Sequence, residues 1–126
     1  MRTLNWIGAL LLAASVLGGE PQTQSVTRTG FFADEACARG RANSGVYTGN
    51  NPDCAKKCLD EGSPAVFVDE QAKALFNVKD YAGVKDDLGF HLEITGVVDE
   101  AAKTISVKSV KHLEQVGASC ARPQKK

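Results

Sequence analysis

Apolar and polar residues alternate in two stretches of the chain's C-terminal half. They are Phe90-His91-Leu92-Glu93-Ile94-Thr95-Gly96-Val97-Val98 and Thr104-Ile105-Ser106-Val107-Lys108-Ser109-Val110. A period of two is that of a half-buried strand, and the polar Asp99–Lys103 between them makes the pair an antiparallel hairpin. Leu113 and Val116 extend its second strand toward the tail. His91 and Glu93 fall together on the polar side, which predicts a solvated strand face. Ala65-Val66-Phe67-Val68 and Ala74-Leu75-Phe76-Asn77-Val78 read as two further strands about a turn at Asp69–Lys73. Val26–Ala33 is rich in β-branched and aromatic residues and reads as a first strand, bent at Gly30. Phe31, Phe32, Phe67 and Phe76 fall on buried strand positions and are expected in the core.

One helix is predicted, from about Asp53 to Asp60. Asn51 or Asp53 caps it, Pro52 suits its first turn, and Gly62 and Pro64 stop it. Cys54 and Cys58 stand one turn apart and share a face that is expected to look at the core. Asp34–Asn51 carries Gly40, Gly45 and Gly49, lacks hydrophobic periodicity, and reads as a long loop. A loop of that length in a small domain is usually functional or pinned, and Cys37 is the expected pin. Tyr81, Val84 and Leu88 mark a short helix or structured loop. Five short strands with one short helix after the first predict a mainly β, α+β domain. Its nearest named form is a small five-stranded barrel of the oligonucleotide/oligosaccharide-binding (OB) type. Gly30 and Gly96 would supply its corners. An open sheet crossed by a helix is the alternative.

The N-terminus reads as a secretory leader, residues 1–18. It has Arg2, an apolar run from Trp6 to Leu17, then the small residues Gly18 and Gly19. The run is about 12 residues, short of the ~20 that span a bilayer. Residues 19–29 read as a flexible arm, 30–120 as the domain and 121–126 as a flexible tail. The chain of 126 residues holds 15 basic and 15 acidic side chains. That balance argues against a nucleic-acid partner, which calls for a basic excess.

Three segments together carry a resemblance: Gly30-Phe31-Phe32-Ala33-Asp34-Glu35-Ala36-Cys37, then Cys54-Ala55-Lys56-Lys57-Cys58, then Gly62 before Ala65-Val66-Phe67-Val68. In this order they resemble an uncharacterised family of small exported bacterial proteins with an OB-like barrel and a Cys…Cys-x3-Cys motif. The likeness spans roughly 30–110, includes the final hairpin, and implies the barrel without implying an activity. Family members often place a histidine shortly before the cysteine pair, where this chain has Asn50-Asn51-Pro52-Asp53. Cys120 is an addition that makes the cysteine count even.

Four cysteines in a small exported domain are expected to form disulfides. Bonding Cys54 to Cys58 suits S–S geometry poorly, because their Cβ vectors run nearly parallel on one helix. Cys37–Cys58 with Cys54–Cys120 is favoured over the swap. The alternative is a thiol-redox or metal-binding protein using Cys54 and Cys58 with Cys37. A Cys-x3-Cys pair lacks the second close pair of zinc ribbons. A cysteine in a helix's first turn, as Cys54 is, can become reactive. Asp86-Asp87 is too sparse for calcium, His112 reads as a bland surface residue, and no serine sits in a nucleophile elbow. No catalytic residue, cofactor or metal ligand is assigned. The expected function is that of a periplasmic or secreted binding or structural module, with an envelope protein or small ligand as partner. Its candidate contacts are Arg39, Arg41, Tyr47 and Asn51, on a loop held by a rigid scaffold.

Overall fold

The computed structural model describes residues 24–115. The expected leader, Cys120, Val116 and the tail lie outside these residues. The described residues form five strands and two α-helices: β1 (Ser25–Asp34), α1 (Glu35–Asn43), α2 (Pro52–Asp60), β2 (Ala65–Asp69), β3 (Ala74–Lys79), β4 (Phe90–Asp99) and β5 (Thr104–Gln115). A short 3-10 helix, Ala82–Asp86, joins β3 to β4. The fold is therefore mainly β with helices, as expected. Among the described residues, no helix is long and apolar enough to cross a membrane.

The strands pair in the closed order β1-β2-β3-β5-β4, with β4 returning to β1. Every pairing is antiparallel except β3 with β5. Gly30 sits where β1 serves two neighbours, opposite Asp69 of β2 and Leu92 of β4. A Cβ there would stand 1.9 Å from the Val68 carbonyl oxygen, so only glycine fits this corner. Gly96 is a second such point. It follows a register shift after Thr95, and a Cβ on it would meet the Ser106 carbonyl oxygen at 2.3 Å.

Ser25–Thr29 is thus strand, not arm. Each of these residues pairs with β4, because the alternation of Val26, Arg28 and Gly30 continues the ladder. Arg28 from this segment donates to Asp69 at 3.0 Å and to Glu100 at 2.9 Å.

Two apolar clusters hold the molecule. Phe32, Phe67, Phe76, Leu92, Ile94 and Ile105 fill the ring, joined by Ala55 of α2 and by Val84 and Leu88. Phe31, Ala33, Val66 and Val68 point the other way, under Ala38 of α1, with Tyr47 and Leu75 against them. All four phenylalanines expected in the core are buried.

The segment read as a long loop contains α1. Its cap is Asp34, whose Oδ2 accepts from the Cys37 backbone N–H at 3.0 Å. It ends with Val46 N–H donating to Arg41 O and Gly45 N–H to Ala42 O, Gly45 having φ +78°. α2 ends the same way, through Ser63 N–H to Cys58 O and Gly62 N–H to Leu59 O, with Gly62 at φ +98°. α1 buries only Ala38, so it shows no amphipathic stripe for sequence patterning to catch.

Candidate functional site

Two groups of polar side chains gather on the outer layer. The first is a cleft of about 410 Å³ lined by Arg39, Asn43 and Tyr47 on one side and by Lys73, Leu75 and Lys103 on the other. Its two lysines come from two turns whose likeness sequence reading passed over. Asp69-Glu70-Gln71-Ala72-Lys73 and Asp99-Glu100-Ala101-Ala102-Lys103 differ at one position. In each the aspartate Oδ1 accepts two backbone N–H groups, from Gln71 and Ala72 or from Ala101 and Ala102, at 2.8–3.0 Å. In each the lysine takes a left-handed backbone, φ 51° at Lys73 and 53° at Lys103. Arg28 bridges the turns through Asp69 and Glu100, which sets the two lysines on one side of the molecule. The repeated Asp-Glu-x-Ala-Lys string was the signal available in the sequence.

Of the four expected contacts, two reach this cleft. Arg39 is exposed on α1 and held by Glu35 one turn earlier. Tyr47, expected to be exposed, is half-buried, because its ring packs on the cluster under α1. The other two serve the scaffold. Arg41 donates to the Gly49 carbonyl and the Thr48 hydroxyl and so holds the α1–α2 connection. Asn51 caps α2, accepting from the Asp53 and Cys54 backbone N–H groups at 2.9 and 3.3 Å.

The second group is a thiol corner. Asp34 at the end of β1, Cys37 in α1 and Cys58 in α2 bring one carboxylate oxygen and two sulfurs within 4.8 Å of one another. The expected staple is not formed here: Cys37, Cys54 and Cys58 are free thiols. Cys37 and Cys58 nevertheless meet, as their favoured pairing requires. Their sulfurs lie no more than 4.8 Å apart. Burial pushes the Cys37 thiol above its ordinary value, and the hydrogen bond to Asp34 and that residue's negative charge push it further. Cys54 does not look at the core. The inward stripe of α2 is Ala55, Cys58 and Leu59, spaced i, i+3, i+4, which leaves Cys54 exposed. Its expected partner Cys120 lies outside the described residues.

Neither histidine is a bare surface group. His91 stacks on Phe31 at 5.0 Å and its Nε2 lies 2.6 Å from Glu70. The face read as solvated is covered in part because Phe31 of the neighbouring strand β1 stacks against His91. His112 stacks on Phe90 at 4.0 Å and its Nε2 lies 2.6 Å from the buried Asp87. Tyr81 donates to the same carboxylate. Burial, then this bond and the carboxylate's charge, push the Tyr81 phenol up to about 12.

Compared with protein-family models, with curated proteins and with solved structures, the chain has no match.

Proposed function

We propose that this chain is an exported OB-like binding module that takes a small anionic ligand in the cleft between α1 and the two lysine turns. The observation that carries the reading is the cleft's lining. Arg39, Lys73 and Lys103 arrive from three separate elements, Arg39 paired with Glu35 and Lys103 with Glu100 at the rim, and Ala42, Ala74 and Leu75 supply apolar surface. A site of that kind suits an anion with an apolar or ring-shaped body, held by charge and hydrogen bonds at its edges. The strand order, with its parallel β3–β5 contact, supports an OB-like barrel. Such barrels bind on the face of their second and third strands and through the first and fourth connections. Here those places supply α1, Leu75 and Lys103. Export rests on the leader pattern of residues 1–18.

The test is a backbone amide NMR titration with two probes, a tetragalacturonate and inorganic pyrophosphate. The expected result is a cluster of shifts at Arg39, Tyr47, Lys73 and Lys103 with at least one probe. Loss of those shifts is expected in the Lys73→Glu/Lys103→Glu variant. No shifts with either probe, or shifts that survive the double variant, sink the proposal.

A further inference from the structure

We infer that Asp34, Cys37 and Cys58 form a binding site for a zinc-class divalent cation, separate from the anion cleft. The corner is assembled from three elements. Asp34 closes β1 and is fully buried, Cys37 lies in the first turn of α1, and Cys58 lies on the inward stripe of α2. Both thiols are half-buried, so the corner is sheltered and still open to an entering ion.

Asp34 meets the N-terminus of α1 and, among the described residues, has no cation beside it. Buried carboxylates are normally paired with a cation or bound to a metal, because an isolated charge is costly away from water. Asp69, the other carboxylate at 0% exposure, follows that rule through Arg28. Asp34 does not. Its oxygens accept from the Cys37 backbone N–H and from Asn50 Nδ2, each at 3.0 Å, and no basic side chain among the described residues pairs with it. The side chain of Asn50 also leaves its own Oδ1 buried without a partner, so a second oxygen lacks a donor close to the carboxylate.

The donor set has a size and a chemistry. Two sulfurs and one oxygen no more than 4.8 Å apart surround a point at most about 2.8 Å from each. A contraction of about half an ångström then brings the sulfurs to the zinc–thiolate distance of ~2.3 Å. Two thiolates with one carboxylate favour a borderline-soft ion over calcium or magnesium, which take oxygen ligands. Binding replaces the two S–H bonds with two metal–sulfur bonds. Both protons leave to solvent, and no electron is transferred. The cation also supplies the positive charge that Asp34 lacks. Cys54 has no place in this set, since it lies on the exposed side of α2.

The experiment uses the reduced full-length chain, titrated anaerobically with Co²⁺ and then Zn²⁺. The Cys54→Ser/Cys120→Ser variant leaves Cys37 and Cys58 as the sole thiols. It is expected to bind one Co²⁺ with a sulfur-to-cobalt charge-transfer band that one equivalent of Zn²⁺ removes. Adding Cys37→Ser or Cys58→Ser removes the band. Asp34→Asn keeps a capping side chain on α1, so the far-ultraviolet circular dichroism is expected to hold while affinity falls more than about tenfold. Absence of the band in the two-thiol variant overturns the inference. So does a band that survives loss of either remaining thiol, or unchanged affinity in Asp34→Asn. None of these outcomes bears on the anion cleft, whose probes and residues differ.

Discussion

Phe31 and Phe32 are neighbours in the chain and belong to different cores. Phe32 faces Phe67 inside the ring at 5.8 Å, whereas Phe31 stacks on His91 outside it, beneath the α1 layer. The same division runs along β2, where Phe67 looks in and Val66 and Val68 look out, all three buried. On β4, by contrast, Leu92 and Ile94 are buried while Glu93 and Thr95 are only half-buried. An unbroken apolar run therefore marks strands covered on both faces, and alternation marks strands covered mainly on one. The two cores differ in how they are enclosed. The inner one is walled by paired backbone on all sides, and the outer one is roofed by a short helix and a connection.

That difference is open to direct challenge. Phe67→Ala removes a fully buried ring from the inner core and is expected to cost about 3–5 kcal/mol. Phe31→Ala, under the thinner roof, is expected to cost about 1.5–3 kcal/mol, since its neighbours can close over the gap. Urea unfolding of both variants checks the ranking. A larger loss at Phe31 would reverse the assignment of which cluster carries the fold. Asp34→Ala tests how the roof is fastened. It deletes the α1 cap and the acceptor for Asn50, and is expected to cost about 1–2 kcal/mol, with amide exchange rising in α1 before it rises in β1.

The smallest effect concerns pH. The Tyr81 phenol is raised in the folded chain to about 12, chiefly by burial, then by its bond to Asp87. A group raised on folding contributes fully below its unfolded value of about 10 and loses that contribution as pH climbs through the folded value. Stability is thus expected to hold to about pH 10 and to decline toward pH 12. Tyr81→Phe should flatten that decline, and ultraviolet titration of tyrosinate in the folded chain should lose its late step. A single ordinary phenol titration in the parent chain would contradict this.

The inner core was largely legible because its positions obey a period of two, and α2 because Asn51-Pro52 opens it and Gly62 ends it. α1 escaped notice since it lacks an apolar stripe and its three glycine-punctuated neighbours look like loop. Its signals were end signals alone, Asp34 before it and Ser44-Gly45 after it. The meeting of Cys37 with Cys58 was legible only as one of two pairings, because sequence alone put both Cys54 and Cys58 on the inward face of α2, and the structure turns Cys54 outward. The loneliness of Asp34 was not, because a missing counter-charge is a property of three-dimensional surroundings. Lys73 and Lys103 were missed for another reason: short repeated turns fall below the length at which a repeat is ordinarily sought.

Asp34 and Ala65 are partners on one rung of the β1–β2 ladder, and Glu35 N–H closes on Pro64 O at 2.9 Å. Everything between them leaves and re-enters the ring at a single point. From that single insertion Ala55 reaches the inner core and Ala38 the outer one. The segment carries the thiol corner's two sulfurs and one wall of the cleft, while the lysine turns belong to the ring.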